Sequence, residues 1–330
     1  MSLCTIASTE LAEPLTATAA TARTWLLIEQ PGPWGAKALR TSHLDPVLGR
    51  TLERLADGTG VRLGLIRRPG RHADTHRPRL RRVIAAHTAP DRPWVCTADL
   101  ADASDLADLD FPALGGGRSA GFGAPADGPG ARPVALVCTN GTRDRCCALH
   151  GRPLAAELAA DEGFDVWETT HLGGHRFAPT MLVLPHGYSY GRLDAASAKD
   201  ALTAARAGRV ALDGCRGRST WSRPGQAAEL AVRTLVDEDR AAVLAVRAAD
   251  PVQPEQPAPG PGNDDARTAW SVRVEHTDGR AWRVLVAQRA ATPPRPESCG
   301  AALGTPARMD VEAVEQIAPG PASTRTPPGR

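Results

Sequence analysis

Apolar and amphipathic stretches alternate along the first 115 residues. Residues 24–30 (TWLLIEQ) are almost continuously apolar at the start, which predicts a buried strand, and they run into the turn-rich Pro31-Gly32-Pro33-Trp34-Gly35. In 46–57, Val47, Leu48, Leu52 and Leu55 recur at helical spacing. Residues 60–66 (GVRLGLI) and 93–97 (PWVCT) read as further strands. Strand, helix, strand in this order predicts parallel pairing through crossovers. Residues 115–133 (GGGRSAGFGAPADGPGARP) are rich in Gly, Pro and Ala without a period, the composition of a linker.

A second block repeats the rhythm. Strands are predicted at 134–138 (VALVC), 164–168 (FDVWE) and 180–184 (TMLVL), with another at 188–193 after a His186-Gly187 turn. Helices are predicted at 153–161, 195–207 and 226–237. Residues 250–267 (DPVQPEQPAPGPGNDDAR) hold one apolar anchor, Val252, and read as flexible. Beyond them, 269–276 and 280–288 flank Thr277-Asp278-Gly279, a hairpin signal. The chain therefore divides into an N-terminal α/β domain (1–114), a linker (115–133), a second α/β domain (134–249), a flexible segment (250–267), a hairpin extension (268–317) and a disordered tail (318–330).

Charge and composition remove several function classes. Thirty-nine Lys and Arg against 37 Asp and Glu leave a net charge of +2, too little to hold a phosphate backbone, and aromatics at 4% offer few stacking platforms. No nucleic-acid partner is expected. The apolar runs are strand-sized, so no membrane span is expected either. The first 22 residues contain no Lys or Arg and include Glu10 and Glu13, unlike a signal peptide. A cytoplasmic location follows as an expectation, and in that reducing compartment clustered cysteines point to metal or redox chemistry.

Such a cluster exists. Cys138, Cys146 and Cys147 fall within ten residues, and the pair His171 and His175 follows about two dozen later as His-Leu-Gly-Gly-His. These are soft and borderline ligands suited to one metal centre. Structural zinc favours Cys pairs as C-x2–4-C, whereas here the spacing is C-x7-C or C-x8-C, wide enough to wrap a larger object. The glycines between the histidines disfavour a helix and permit close backbone approach, although His-x3-His on a helix would also share one face. Cys4, Cys96, Cys215 and Cys299 read as small buried hydrophobes. His150, His186 and His276 read as solvated, and Arg143, Arg145 and Arg176 as charges that neutralise the centre or dock an acidic partner.

The motifs taken together resemble the sucrase/ferredoxin-like family, to which fungal actin-patch-distribution proteins are related. The resemblance rests on Cys138 with the Arg143-Asp144-Arg145-Cys146-Cys147 run, on 171–178 (HLGGHRFA), and on 184–193 (LPHGYSYGRL). The segments 27–35 (LIEQPGPWG) and 65–71 (LIRRPGR) extend it over most of residues 20–230. Pro179-Thr180 depart from the small residue and Asn usual in the family. The resemblance implies a thioredoxin-like ferredoxin domain preceded by a second α/β domain, for which a degenerate thioredoxin-like copy is the implied reading. It also implies a [2Fe–2S] cluster on Cys138, Cys147, His171 and His175, with Cys146 as the alternative thiolate. Electron transfer between redox partner proteins, rather than catalysis on a substrate of its own, is the implied function. Two other readings compete: a thiol–disulfide oxidoreductase, disfavoured because no Cys-x-x-Cys is present, and a zinc-stabilised binding module.

Overall fold

Strand β1 (Thr24–Glu29) is apolar because both of its faces are covered, and every residue but Glu29 is buried. The computed structural model describes residues 3–70, 80–126, 128, 131–252 and 268–318. A short helix α1 (Cys4–Glu10) precedes β1, and α2 (Ala38–Thr41) and α3 (Pro46–Ala56) follow it. The Asp45 carboxylate caps α3 by accepting from the Val47 N–H, and Pro46 stands in its first turn. The chain continues through β2 (Val61–Arg67), β3 (Arg81–His87), β4 (Trp94–Leu100), α4 (Phe111–Gly115) and the two-residue β5 (Ala124–Pro125). The last pairs with β4, so the expected linker at 115–133 includes a sheet edge.

The second half contains β6 (Val134–Cys138), α5 (Arg145–Ala159), β7 (Asp165–Thr169), β8 (Thr180–Leu184), β9 (Tyr188–Gly191), α6 (Ala195–Arg206), β10 (Cys215–Arg218) and α7 (Arg223–Val236). Helix α5 begins eight residues earlier than the pattern from Pro153 predicts. Asp144 starts it by accepting from the Cys146 N–H, and Pro153 lies inside it. Strand β3 was not anticipated, since its apolar run Val83–Ala86 spans only four positions between charged ends. Arg81 is buried nonetheless, donating to the Glu29 carbonyl and the Gln30 side chain.

Ten strands form one sheet in the order β10-β9-β8-β6-β7-β2-β1-β3-β4-β5. Within it β2-β1-β3-β4 and β7-β6-β8-β9 have the same pattern: the first two strands parallel, the next two antiparallel. The mixed α/β fold thus repeats one four-strand arrangement in two halves of a single sheet, a first layer (β1–β4) and a second (β6–β9). They meet antiparallel at β2 and β7, with Ile66 opposite Thr169 and Arg67 opposite Glu168. The Arg67–Glu168 ion pair closes this seam at 2.7 Å with both side chains buried. At the far rim, β10 carries a register shift between Cys215 and Gly217. The backbone N–H groups of Thr18 and Ala22 donate to the carbonyls of Arg216 and Ser219 beside it.

The expected hairpin, β12 (Ala269–His276) with β13 (Ala281–Ala290), is the centre of a four-stranded sheet. Strand β11 (Leu244–Val252) pairs on one side, and after the short β14 (Arg295–Pro296) and β15 (Leu303–Gly304), β16 (Ala307–Ile317) pairs on the other. Residues 250–252, read as flexible, are the end of β11: Asp250 is opposite Ser271 and Val252 opposite Ala269. The rest of the flexible segment (253–267) and tail residues 319–330 lie outside the described residues. Helix α7 packs Ala227, Ala228 and Val232 against Val272, Trp282 and Val284 of this sheet. His276 is buried rather than solvated, and its Nε2 lies 2.9 Å from Glu238. Among the described residues, no helix is long and apolar enough to cross a membrane.

Candidate metal centre

The centre forms where three segments meet at the end of the second layer. Cys138 is the last residue of β6, Cys147 lies in the first turn of α5, and the two histidines follow β7. Gly151 sets the approach of α5 to β6: a Cβ there would stand 2.1 Å from the Cys138 carbonyl oxygen. Only a glycine lets the helix lie this close, and its first turn then reaches the Cys138 sulfur. The Asp144 cap turns the backbone so that Cys146 and Cys147 are both buried but aim in different directions.

Cys147 and Cys138 hydrogen-bond through their thiols, and Cys147 Sγ lies 3.3 Å from His175 Nδ1. The His171 and His175 rings stack with centroids 4.3 Å apart. The histidines are not on a helix. Gly173 and Gly174 take left-handed backbone (φ 81° and 72°) between them, and His175 opens a single 3-10 turn, His175–Phe177. A Cβ on Gly174 would collide with the Arg216 guanidinium, at 2.2 Å. The glycine pair thus bends the loop and admits a buried cation beneath it.

Electrostatics shift the four side chains in different directions. The hydrogen bond from Cys147 holds the Cys138 thiol below its usual range against the opposing effect of burial. The backbone N–H groups of Leu172 and Asn140 and the Thr180 hydroxyl add to that lowering. Cys147, as the donor of the pair, is pushed up. Burial, reinforced by the neighbouring His175, lowers His171 to about 3, and burial lowers His175 as well. Both rings are therefore neutral at ordinary pH, the form with a free lone pair for a metal. Arg216 is fully buried, and burial pulls it down to about 9 while the Cys138 and Cys147 sulfurs oppose that shift. It donates to the Gly173 carbonyl at 3.0 Å and to Thr18.

The four sequence-derived ligand candidates, Cys138, Cys147, His171 and His175, are brought together. Cys146, the alternative thiolate, points elsewhere: its sulfur lies 3.6 Å from Cys4 and 3.1 Å from Cys299. Asp144 borders both groups, with a carboxylate oxygen within 4.8 Å of the Cys147 and His175 donor atoms. Arg176, read as a neutralising or docking charge, is tied to Glu13 and Glu297 at 2.9 Å each. Arg143 and Arg145 are exposed beside the centre. Sequence reasoning missed Arg216, since an isolated arginine in 215–218 (CRGR) carries no signal of its distance from the histidines. Cys4 and Cys299 were missed because no local spacing relates them to Cys146.

Residues 15–217 match one family model, that of the sucrase/ferredoxin-like proteins. The match ends just past Arg216 and takes in the four-strand halves β1–β4 and β6–β9. No curated protein and no solved structure matches the chain.

Proposed function

The chain belongs to the sucrase/ferredoxin-like family, and from that premise we propose that it is a one-electron carrier holding a [2Fe–2S] cluster on Cys138, Cys147, His171 and His175. The observation that carries this reading is the convergence of two thiols and two neutral imidazoles on one loop-lined corner. The donor chemistry fits the group, since two thiolates and two neutral nitrogens balance the 2+ charge of its oxidised core. When bound, such a cluster supplies one-electron redox at a potential above the about −400 mV of four-thiolate centres, toward the roughly −150 to +300 mV seen with two histidines.

The chain's own residues set how that chemistry is used. Cys138 is buried at the strand end, where the Leu172 and Asn140 N–H groups bond its sulfur and shield it from oxidants. Hydrogen bonds to a ligand sulfur spread its charge and raise the potential. Arg216 places a fixed positive charge under the Gly173-Gly174 turn, which favours the form carrying the extra electron. His171 is half-buried and lies toward solvent, the natural exit for an electron and for a coupled proton. Exposed Arg143 and Arg145 beside it suit an acidic face on a redox partner protein.

Iron, zinc and acid-labile sulfide measured on anaerobically purified protein, with EPR after reduction, test the reading. Two irons and two sulfides per chain support it. Iron-free protein after expression with adequate iron overturns it. Cys147→Ser is expected to abolish assembly and Cys146→Ser to leave it intact. His175→Cys is expected to retain iron and lower the potential by ~100 mV or more, and an unchanged potential removes His175 from the ligand set.

A further inference from the structure

Cys4, Cys146, Cys299 and Asp144 form a second donor cluster beside the first. Their sulfurs lie 3.6 Å (Cys4–Cys146), 3.6 Å (Cys4–Cys299) and 3.1 Å (Cys146–Cys299) apart. Both Asp144 carboxylate oxygens lie 3.9 Å from the Cys4 sulfur. Cys4, Cys146 and Asp144 are buried, and Cys299 is half-buried. The three cysteines come from helix α1, the first turn of α5 and the loop between β14 and β15. The sequence separations are 142 and 153 residues, so no local turn accounts for the convergence.

We propose that this cluster is a second metal site, binding one zinc ion through Cys4, Cys146, Cys299 and Asp144. Size is the first argument. A tetrahedral ion with Zn–S of about 2.3 Å spaces its sulfurs about 3.8 Å apart, and a carboxylate ligand lies about 3.5 Å from each sulfur. The observed separations approach those edges and are well beyond the about 2.05 Å of a disulfide. They are the scale of a single ion, whereas the His–Cys corner suits a larger group. Chemistry is the second argument. Three thiols and a carboxylate are donors that zinc accepts, and with all three thiols deprotonated the filled site has the net charge of a four-cysteine zinc site.

Asp144 is held ready for this role. One carboxylate oxygen accepts from the Cys146 N–H at 2.9 Å, the other from the Ser298 hydroxyl at 2.7 Å and the Cys299 N–H at 2.9 Å. The N–H groups of two of the proposed ligands thus aim it, the pattern of supporting bonds that fixes ligands at metal sites. Binding would release the thiol protons to solvent and fasten α1 and the 297–300 loop to the start of α5. Neighbouring Cys146 and Cys147 would then serve two different centres.

The test uses the full chain. Wild-type protein is expected to hold one zinc per chain in addition to any iron. Cys4→Ser and Cys299→Ser should lose that zinc and keep iron and sulfide. The His171→Ala/His175→Ala double variant should lose iron and keep zinc. Should a serine variant fold poorly, the wild type answers alone. Stripped of zinc, it should bind cobalt(II) with a thiolate charge-transfer band, and added zinc should slow alkylation of Cys4, Cys146 and Cys299 at least tenfold. Zinc that departs with the histidines overturns the proposal. So does the absence of both zinc and the cobalt band, or a Cys146–Cys299 disulfide recovered by peptide mapping from the protein as anaerobically purified, before any zinc is removed. Loss of iron from wild type with zinc retained would sink the electron-carrier reading and leave this site standing.

Discussion

The two layers share one strand order but use the end of their first strand differently. In the second layer that end is Cys138, followed by a loop and a helix that deliver Cys147. In the first layer the chain leaves β1 into Pro31-Gly32-Pro33-Trp34, and the corner is filled by a side chain. Trp34 is buried there, donating its indole N–H to the Gln30 carbonyl at 2.9 Å, with the Arg67 guanidinium 4.1 Å over its ring. One layer has a packed plug where the other gathers two cysteines and two histidines. The plug's loop also touches its neighbour, because the Asn140 amide donates to the Gly35 carbonyl beside Trp34 at 3.1 Å. The difference shows how one strand arrangement, used twice, can end in a packed side chain in one half and in a Cys–His cluster in the other.

The seam is where that division breaks most easily. Glu168→Ala leaves Arg67 buried without its partner and removes the acceptor of Thr139, which should cost about 3–5 kcal/mol. Urea denaturation with probes in both layers should show them unfolding together at a lower midpoint. A loss under 1 kcal/mol would mean the layers are held by apolar packing alone. Next in size, Trp34→Ala empties the plug and should cost about 3 kcal/mol. It should also speed iron loss to a chelator several-fold by freeing Asn140, and unchanged iron retention would show that the plug does not support the ligand loop.

A pH dependence should mark the second layer. Burial, then the Arg218 and Arg233 charges, depress His186 to about 4. Its folded pKa lies below the unfolded value, so the unfolded chain binds the extra proton first. The contribution is complete above the unfolded pKa near 6.5 and declines as pH falls toward 4, by about 3 kcal/mol. His186→Gln should flatten that slope, and an equally steep profile would exonerate His186. The smallest effect is expected in the first layer, at the exposed Arg82–Asp99 pair between β3 and β4. Asp99→Asn should change stability by less than ~0.5 kcal/mol, and a larger change would reveal a coupling across the sheet that the geometry does not suggest.

Periodicity was enough to read most strands of both layers, because 24–30, 134–138 and 180–184 are apolar on both faces and have no other stable use. It failed at β10, where 215–218 (CRGR) is buried through arginines that bond backbone carbonyls and so has no hydrophobic signature. The start of α5 was hidden for a related reason, since Pro153 reads as a first-turn residue until the Asp144 cap is seen. Of the Cys–His corner, the convergence of Cys138, Cys147, His171 and His175 and the bend at Gly173-Gly174 were legible. The separate destinations of Cys146 and Cys147 were not, because adjacent residues on a helix diverge by an angle that only the surrounding packing turns into two addresses.

A sheet ten strands wide has a cost at its rims, where unpaired backbone groups can recruit another chain. Both rims here are blunted. One ends in a strand of only two residues, Ala124–Pro125, whose proline has no N–H to offer. The other ends in the kinked β10, alongside which the 18–22 segment lays its own backbone donors. That segment therefore acts as a selvedge: it stops the weave from growing outward, and removing it should turn a self-contained sheet into a template for fibre formation.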